Sequence, residues 1–227
     1  MNYSYLIYFL IMLILPLIAD IYVKVTFKKY SKVANFRRLT TEQVVRQILD
    51  SNGLYNTKIG FNGGNLSDNY DPRTNQVNLS RSTSGQISVA AIGVAAHECG
   101  HACQHAENYF PIVLRSAIVP AVNICSKFWY LVFIIGVLLS EMTIGTNLIW
   151  ASVIMFAAVV LFQMVTLPAE IDASRRAMKT LESQAILEAD ELPMARKVLR
   201  AAALTYVAGL VVSIMQLIRL VTLSRRR

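Results

Sequence analysis

Histidine is almost missing from this 227-residue chain. There are three, His97, His101 and His105, and all lie in the stretch AAHECGHACQH, residues 95–105. A site assembled from scattered histidines is therefore excluded, and any histidine-based metal centre must be anchored here. Cysteine is equally scarce: Cys99, Cys103 and Cys125 have no CxxC spacing, which excludes ribbon- and finger-type zinc sites. Cys99 and Cys103 are four apart on one expected helix, where disulfide geometry is not met, so all three are read as reduced packing residues. Charged residues make up only 16% of the chain. No internal repeat or low-complexity segment occurs. The start, MNYSY, has no basic n-region, and Leu17-Ile18-Ala19 is not a small-x-small cleavage site, so the first apolar run reads as an uncleaved anchor.

What the chain has in excess is apolar length. Hydrophobic residues reach 55% and mean hydropathy is +0.45. Runs at 3–23, 117–139, 147–168 and 201–220 each approach the roughly 20 residues that cross a bilayer. This pattern predicts a multi-pass membrane protein. The net charge of +8 then follows from topology and not from nucleic acid. Lys24, Lys28, Lys29, Lys32, Arg37 and Arg38 follow the first span, and Arg175, Arg176, Lys179, Arg196, Lys197 and Arg200 lie between the third and fourth. The positive-inside rule puts both clusters in the cytoplasm; the tail Ser-Arg-Arg-Arg at 224–227 points the other way. The expected organisation is an anchor at 1–23, a cytoplasmic part at 24–116, a transmembrane hairpin at 117–168, a second cytoplasmic segment at 169–200 and a membrane helix with basic tail at 201–227.

Within the first cytoplasmic part, LTTEQVVRQILDSNGL (39–54) predicts a helix capped by Thr40 or Thr41, with Val44, Val45, Ile48 and Leu49 on its apolar face and an end at Asn52-Gly53. Residues 55–84 are rich in Asn, Gly, Ser and Thr. Two short strands are expected around the turn Asp71-Pro72-Arg73-Thr74-Asn75, the second at 76–80. An exposed edge at 76–80 could hold an extended substrate by strand addition. Ser82 or Ser84 would cap a helix from about 86 to 108.

That helix carries His-Glu-x-x-His. Residues i and i+4 stack on one helix face, so His97 and His101 can offer two imidazoles to one zinc ion. Glu98, rotated by one residue, is a poor ligand but is placed to act as general base. A single histidine in an apolar helix is more often a hydrogen-bonded core residue; two at this spacing with Glu between them favour the metal. His105 lies about 12 Å along the axis from His97, too far to share an ion, and reads as a structural or supporting residue. A third ligand must then be a carboxylate. TLPAEIDASRRAM (166–178) offers Glu170 as ligand and Asp172 as a group orienting a ligand imidazole. The alternative makes both of them ordinary acids of a helix N-terminus beginning near Glu170. Tyr206, Tyr70 and Arg175 are candidates for stabilising an oxyanion.

The segments LSDNYDPRTNQVNLS, SVAAIGVAAHECGHACQHAENYFPIVLRSAIVPAVN, LPAEIDASRRAM and AAALTYVAG resemble the YugP-type neutral zinc metallopeptidases of bacterial membranes, in order and over about residues 60 to 210. More distantly the plan is similar to HtpX-like and CAAX-prenyl membrane endopeptidases. The resemblance implies a gluzincin-like zinc endopeptidase with one Zn2+ per chain bound by His97, His101 and Glu170, and Glu98 as catalytic base. One position departs from it: the family's Asp-His-Tyr-Asp-Pro reads Asp68-Asn69-Tyr70-Asp71-Pro72.

The fold expected is mainly α, with about four membrane-associated helices and a small cytoplasmic α+β zincin-like portion. The partners expected are a peptide or protein substrate, membrane-associated ones included, and the lipid bilayer of a bacterial cell, without nucleic acid; the oligomeric state is not legible. Two other readings compete. Intramembrane proteolysis suffers because only about ten apolar residues precede His97 and no Asp-Gly occurs in the chain. A zinc-stabilised scaffold would want four Cys or His ligands, whereas Cys99 and Cys103 point off the His97/His101 face.

Overall fold

The computed structural model describes residues 3–225. Arg226 and Arg227 of the basic tail, like Met1 and Asn2 of the anchor, lie outside the described residues. Six helices and three strands follow one another: α1 (Tyr3–Tyr30), α2 (Thr41–Ser51), β1 (Lys58–Asn62), β2 (Asn69–Asp71), β3 (Gln76–Ser80), α3 (Val89–Ala106), α4 (Phe110–Leu138), α5 (Thr143–Ser183) and α6 (Leu192–Ser224). Four helices, α1, α4, α5 and α6, are long and apolar enough to cross a membrane.

The residues form two compact units. One comprises Ile18–Ile112 and Ala169–Thr205. Its core is built on α2, where Val44, Val45, Ile48 and Leu49 are all buried, as their spacing requires. They pack with Val89, Ile92, Ala95, Ala96 and Cys99 of α3, with Val77 and Leu79 of β3, and with Leu181 and Ile186. A capping box starts α2: Thr40 accepts from the Gln43 N–H while Gln43 reaches back to the Thr40 N–H, which satisfies two otherwise orphaned donors. Helix α3 starts at Ser88, whose hydroxyl accepts from the Ala91 N–H, later than the Ser82 or Ser84 expected. Those serines belong to the turn that precedes it.

The sheet corrects one expectation. Its order is β1-β3-β2, with β1 parallel and β2 antiparallel to β3. Residues 76–80 are thus the central strand, flanked by β1 along its whole length and by β2 over Gln76 to Asn78, and not the edge strand that was expected. Strand β1 was invisible in the sequence because KIGFN does not alternate cleanly between apolar and polar, and its partner is reached only through the β2 hairpin.

The second unit comprises the described parts of Met1–Leu17, Val113–Pro168 and Tyr206–Arg227. Val153, Phe156, Val160 and Leu220 form its cluster, with Trp129 and Phe133 against them. Trp129 and Phe156 rings lie 4.6 Å apart. Within the same unit the Tyr8 hydroxyl donates to Gln216 Oε1 at 3.2 Å.

Helix α5 runs unbroken through Pro168. Proline there removes one backbone bond, to the Met164 carbonyl, but does not end the helix. Glu170 and Asp172 therefore sit in a helix interior, and the reading of them as N-terminal acids favoured by the helix dipole does not hold.

Candidate metal centre

Helix α3 places His97 and His101 on one face, their ring centroids 4.7 Å apart and nearly perpendicular. Glu170, on α5, meets both. Its Oε2 lies 3.3 Å from His97 Nε2 and 3.4 Å from His101 Nε2. All three donor atoms fall within 4.8 Å of one another. The imidazoles keep slight exposure, and Glu170 is buried.

These distances discriminate between two ways of joining the groups. A protonated imidazole donating to a carboxylate closes to about 2.7–2.9 Å. Ligands about 2.0–2.1 Å from one tetrahedral ion lie about 3.3–3.4 Å from each other. The observed separations match the second.

The far sides of the rings agree. Gln104, fully buried, donates both amide hydrogens, to the Ala169 carbonyl at 2.8 Å and to Asp172 Oδ2 at 2.9 Å. Its Oε1 must then face His101 Nδ1, which is 3.0 Å away. An acceptor at Nδ1 puts the ring proton there and leaves the Nε2 lone pair aimed at the carboxylate oxygen. Two lone-pair atoms facing each other in a buried site make a place where a cation fits. Ser174 Oγ lies 3.1 Å from His97 Nδ1, a hydrogen bond that orients the ring and whose direction follows the imidazole's tautomer, since a hydroxyl can donate or accept. The donor set, two imidazoles and one carboxylate with oriented rings, fits zinc with a coordination position left for substrate chemistry. Taken without a metal, His101 has its pKa pushed down by burial, an effect outweighed by the hydrogen bond and charge of Glu170, so that the value is raised.

Glu98 lies on the same helix, 7% exposed. The Tyr70 backbone N–H, on β2, donates to its Oε2 at 3.0 Å; among the described residues no hydrogen bond reaches Oε1. Burial pushes its pKa above the ordinary carboxylate range, and His97 and His101 oppose that shift without cancelling it. Asp172 does not touch a ligand imidazole. It holds Gln104, and is itself held by Arg176 Nε at 2.6 Å, while Arg176 also pairs with Glu107 at 2.7 Å. His105 packs its ring 5.5 Å from that of Tyr70. The Tyr70 hydroxyl donates to Asn75 Oδ1 at 3.0 Å, so Tyr70 reaches the site through its main chain. Asn69 is an exposed residue of β2.

Close helix approach makes the cluster possible. A Cβ on Gly100 would lie 2.6 Å from the Ala173 carbonyl oxygen and 3.1 Å from Ala173 Cα. Only glycine lets α3 sit against the backbone of α5 where Glu170 and Ser174 project. Gln104 and Ser174 were not legible as site residues in the sequence. The i+3 spacing of Gln104 from His101 was an available signal; nothing local pointed to Ser174.

Two imidazoles and a carboxylate that converge on one point, beside the buried Glu98, form a group that could hold a metal ion. Comparison with known proteins agrees. The chain belongs to the family described as "Putative neutral zinc metallopeptidase", whose model matches residues 5–225. It is 44% identical over 203 residues to "Putative membrane protease YugP" of Bacillus subtilis (strain 168), covering 89% of this chain and 88% of that protein. No solved structure matches it.

Proposed function

We infer that the chain is a membrane-bound zinc peptidase that hydrolyses peptide bonds, with His97, His101 and Glu170 as ligands and Glu98 as general base. The observation that carries this is the convergence of the three donors on the helix that bears a buried Glu98. When bound, zinc supplies the Lewis acidity that activates water and polarises the scissile carbonyl. Glu98 accepts the proton of the attacking water, on Oε1, and returns it to the leaving amine. The Tyr70 N–H holds Oε2 meanwhile and fixes the carboxylate plane. Gln104 keeps the ring proton of His101 on Nδ1, leaving its Nε2 as ligand, and Ser174 orients the His97 ring from its Nδ1 side.

The test is metal content by elemental analysis of detergent-purified wild type, Glu98→Gln and Glu170→Ala, with a peptide-cleavage assay. Near one zinc per chain is expected in wild type and in Glu98→Gln, with cleavage falling about 10²–10⁴-fold in the latter. Glu170→Ala is expected to lose both zinc and activity. A folded wild type without zinc overturns the reading; zinc retained in full by Glu170→Ala moves the third ligand elsewhere.

The basic clusters at 24–38 and 175–200 support a cytoplasmic site close to the membrane surface. A cysteine introduced at exposed Asn65 should react with an impermeant thiol reagent in inverted vesicles and not in intact cells. The opposite pattern reverses the topology.

A further inference from the structure

Four cations meet on one face of the site-bearing unit. Arg175 and Lys179 of α5 and Arg196 and Arg200 of α6 line a groove of about 520 Å³. Each pair is four apart, so each stacks on one helix face. Among the described residues none of the four has a carboxylate within ion-pair distance. Glu182 is the one acid on the wall. Asp172, close by in sequence, is already engaged by Gln104 and Arg176.

Apart from Ser174, the rest of the wall is apolar, from Ile171 on α5 to Leu199 and Ala203 on α6. Ile171 follows the apolar run 147–168 by three residues, and Ala203 lies inside the run 201–220. Along both helices the groove passes from apolar side chains to cations within about three turns of a spanning segment. A ligand that matches both halves has an anionic head and a hydrocarbon body. An acidic peptide would leave the apolar wall unmatched, and diffuse attraction to an anionic surface would need no groove.

We propose that this groove binds the phosphate headgroup of an anionic phospholipid, held by Arg175, Lys179, Arg196 and Arg200 with the lipid's apolar part along Ile171 and Ala203. Basic pockets beside membrane helices have the charge and position for such headgroups. Ser174 lines the same groove and holds His97 Nδ1, so the headgroup would sit next to the candidate metal centre. The proposal does not depend on peptidase activity.

The experiment uses the full chain in neutral detergent, with retention of dioleoylphosphatidylglycerol and of dioleoylphosphatidylcholine followed by native mass spectrometry. Preferential retention of phosphatidylglycerol is expected. Arg200→Gln should weaken it about fivefold and Arg196→Gln/Arg200→Gln about 30-fold. Lys197→Gln, on the same helix but outside the groove, should change it by less than about twofold. Protection of the buried Cys99 thiol from alkylation checks that each variant is folded. Equal retention of the two lipids overturns the proposal, as does an effect of Lys197→Gln equal to that of Arg200→Gln. Competition arms separate the sources of the anion: displacement of the lipid by inorganic phosphate or by a glutamate-rich peptide at equal concentration also overturns it.

Discussion

The two units of the molecule bury their apolar residues to very different degrees. In the site-bearing unit Val44, Val45, Leu49, Ile92 and Leu181 have no exposed surface. In the other, the cluster around Phe156 is small, while Ile7, Phe9, Leu13, Leu138 and Ile154 are all more than half exposed. A water-soluble surface would not tolerate so much contiguous apolar area; hydrocarbon solvates it at no cost. The first unit is therefore held by the hydrophobic effect in its own core, and the second relies on lipid. The candidate site follows the same division, since His97, Glu98, His101 and Glu170 all belong to the unit with the closed core, where burial can orient the imidazoles.

Leu49→Ala against Ile154→Ala sharpens this contrast most. Emptying the Leu49 site should cost about 2–5 kcal/mol, read as earlier alkylation of Cys99 in a urea titration of the reconstituted protein. Ile154→Ala should change the same transition by no more than about 0.5 kcal/mol. Equal effects would mean that the two units are stabilised alike.

Gly100→Ala comes next. Its methyl meets the Ala173 backbone, which cannot move as a flexible side chain would, so about 1–3 kcal/mol of stability should be lost. Zinc affinity should fall with it, because Glu170 and Ser174 are carried away from α3. Unchanged affinity in a chelator competition would show that the helices separate without disturbing the ligands.

Gln104→Leu keeps the volume and removes the orienting carbonyl. Zinc should bind about 10–100-fold more weakly, as for other losses of a partner to a ligand imidazole, while saturating at the same stoichiometry. If affinity were untouched, tautomer control would have to reside elsewhere.

The smallest effect concerns Glu42, which accepts from Ser84 Oγ and the Gly85 N–H, both at 2.8 Å. Burial pushes its pKa up, but these hydrogen bonds outweigh that and hold it below its ordinary value of 4.5. A depressed folded value means stabilisation that is complete above the ordinary range and is lost as pH falls through the folded value. Because the group is largely solvated, the contribution is under about 1 kcal/mol. Glu42→Gln should flatten the acid limb of the Cys99 protection profile and leave neutral pH nearly unaffected.

Much of this was legible in the sequence. Three of the four apolar runs fall within helices α1, α5 and α6 and the fourth, 117–139, overruns the end of α4 by one residue; the four apolar positions of α2 are all buried, because length and 3.6-residue periodicity are local properties. The pairing of His97 with His101 was legible for the same reason. Glu170 could be reached only by topology and family resemblance, and its interior position in α5 was hidden by Pro168, a residue that usually signals a helix end.

The remaining features needed the tertiary structure. Strand β3 is central because β1 returns to it in parallel, a pairing no local pattern encodes. Gln104 and Ser174 fix the rings only because Gly100 and Ala173, 73 residues apart in sequence, bring two helix backbones together. Local pattern settles that long helices form and which side chains can act on a metal; helix packing settles the distances that bring those side chains together, since the energy of a buried contact depends on which surfaces meet.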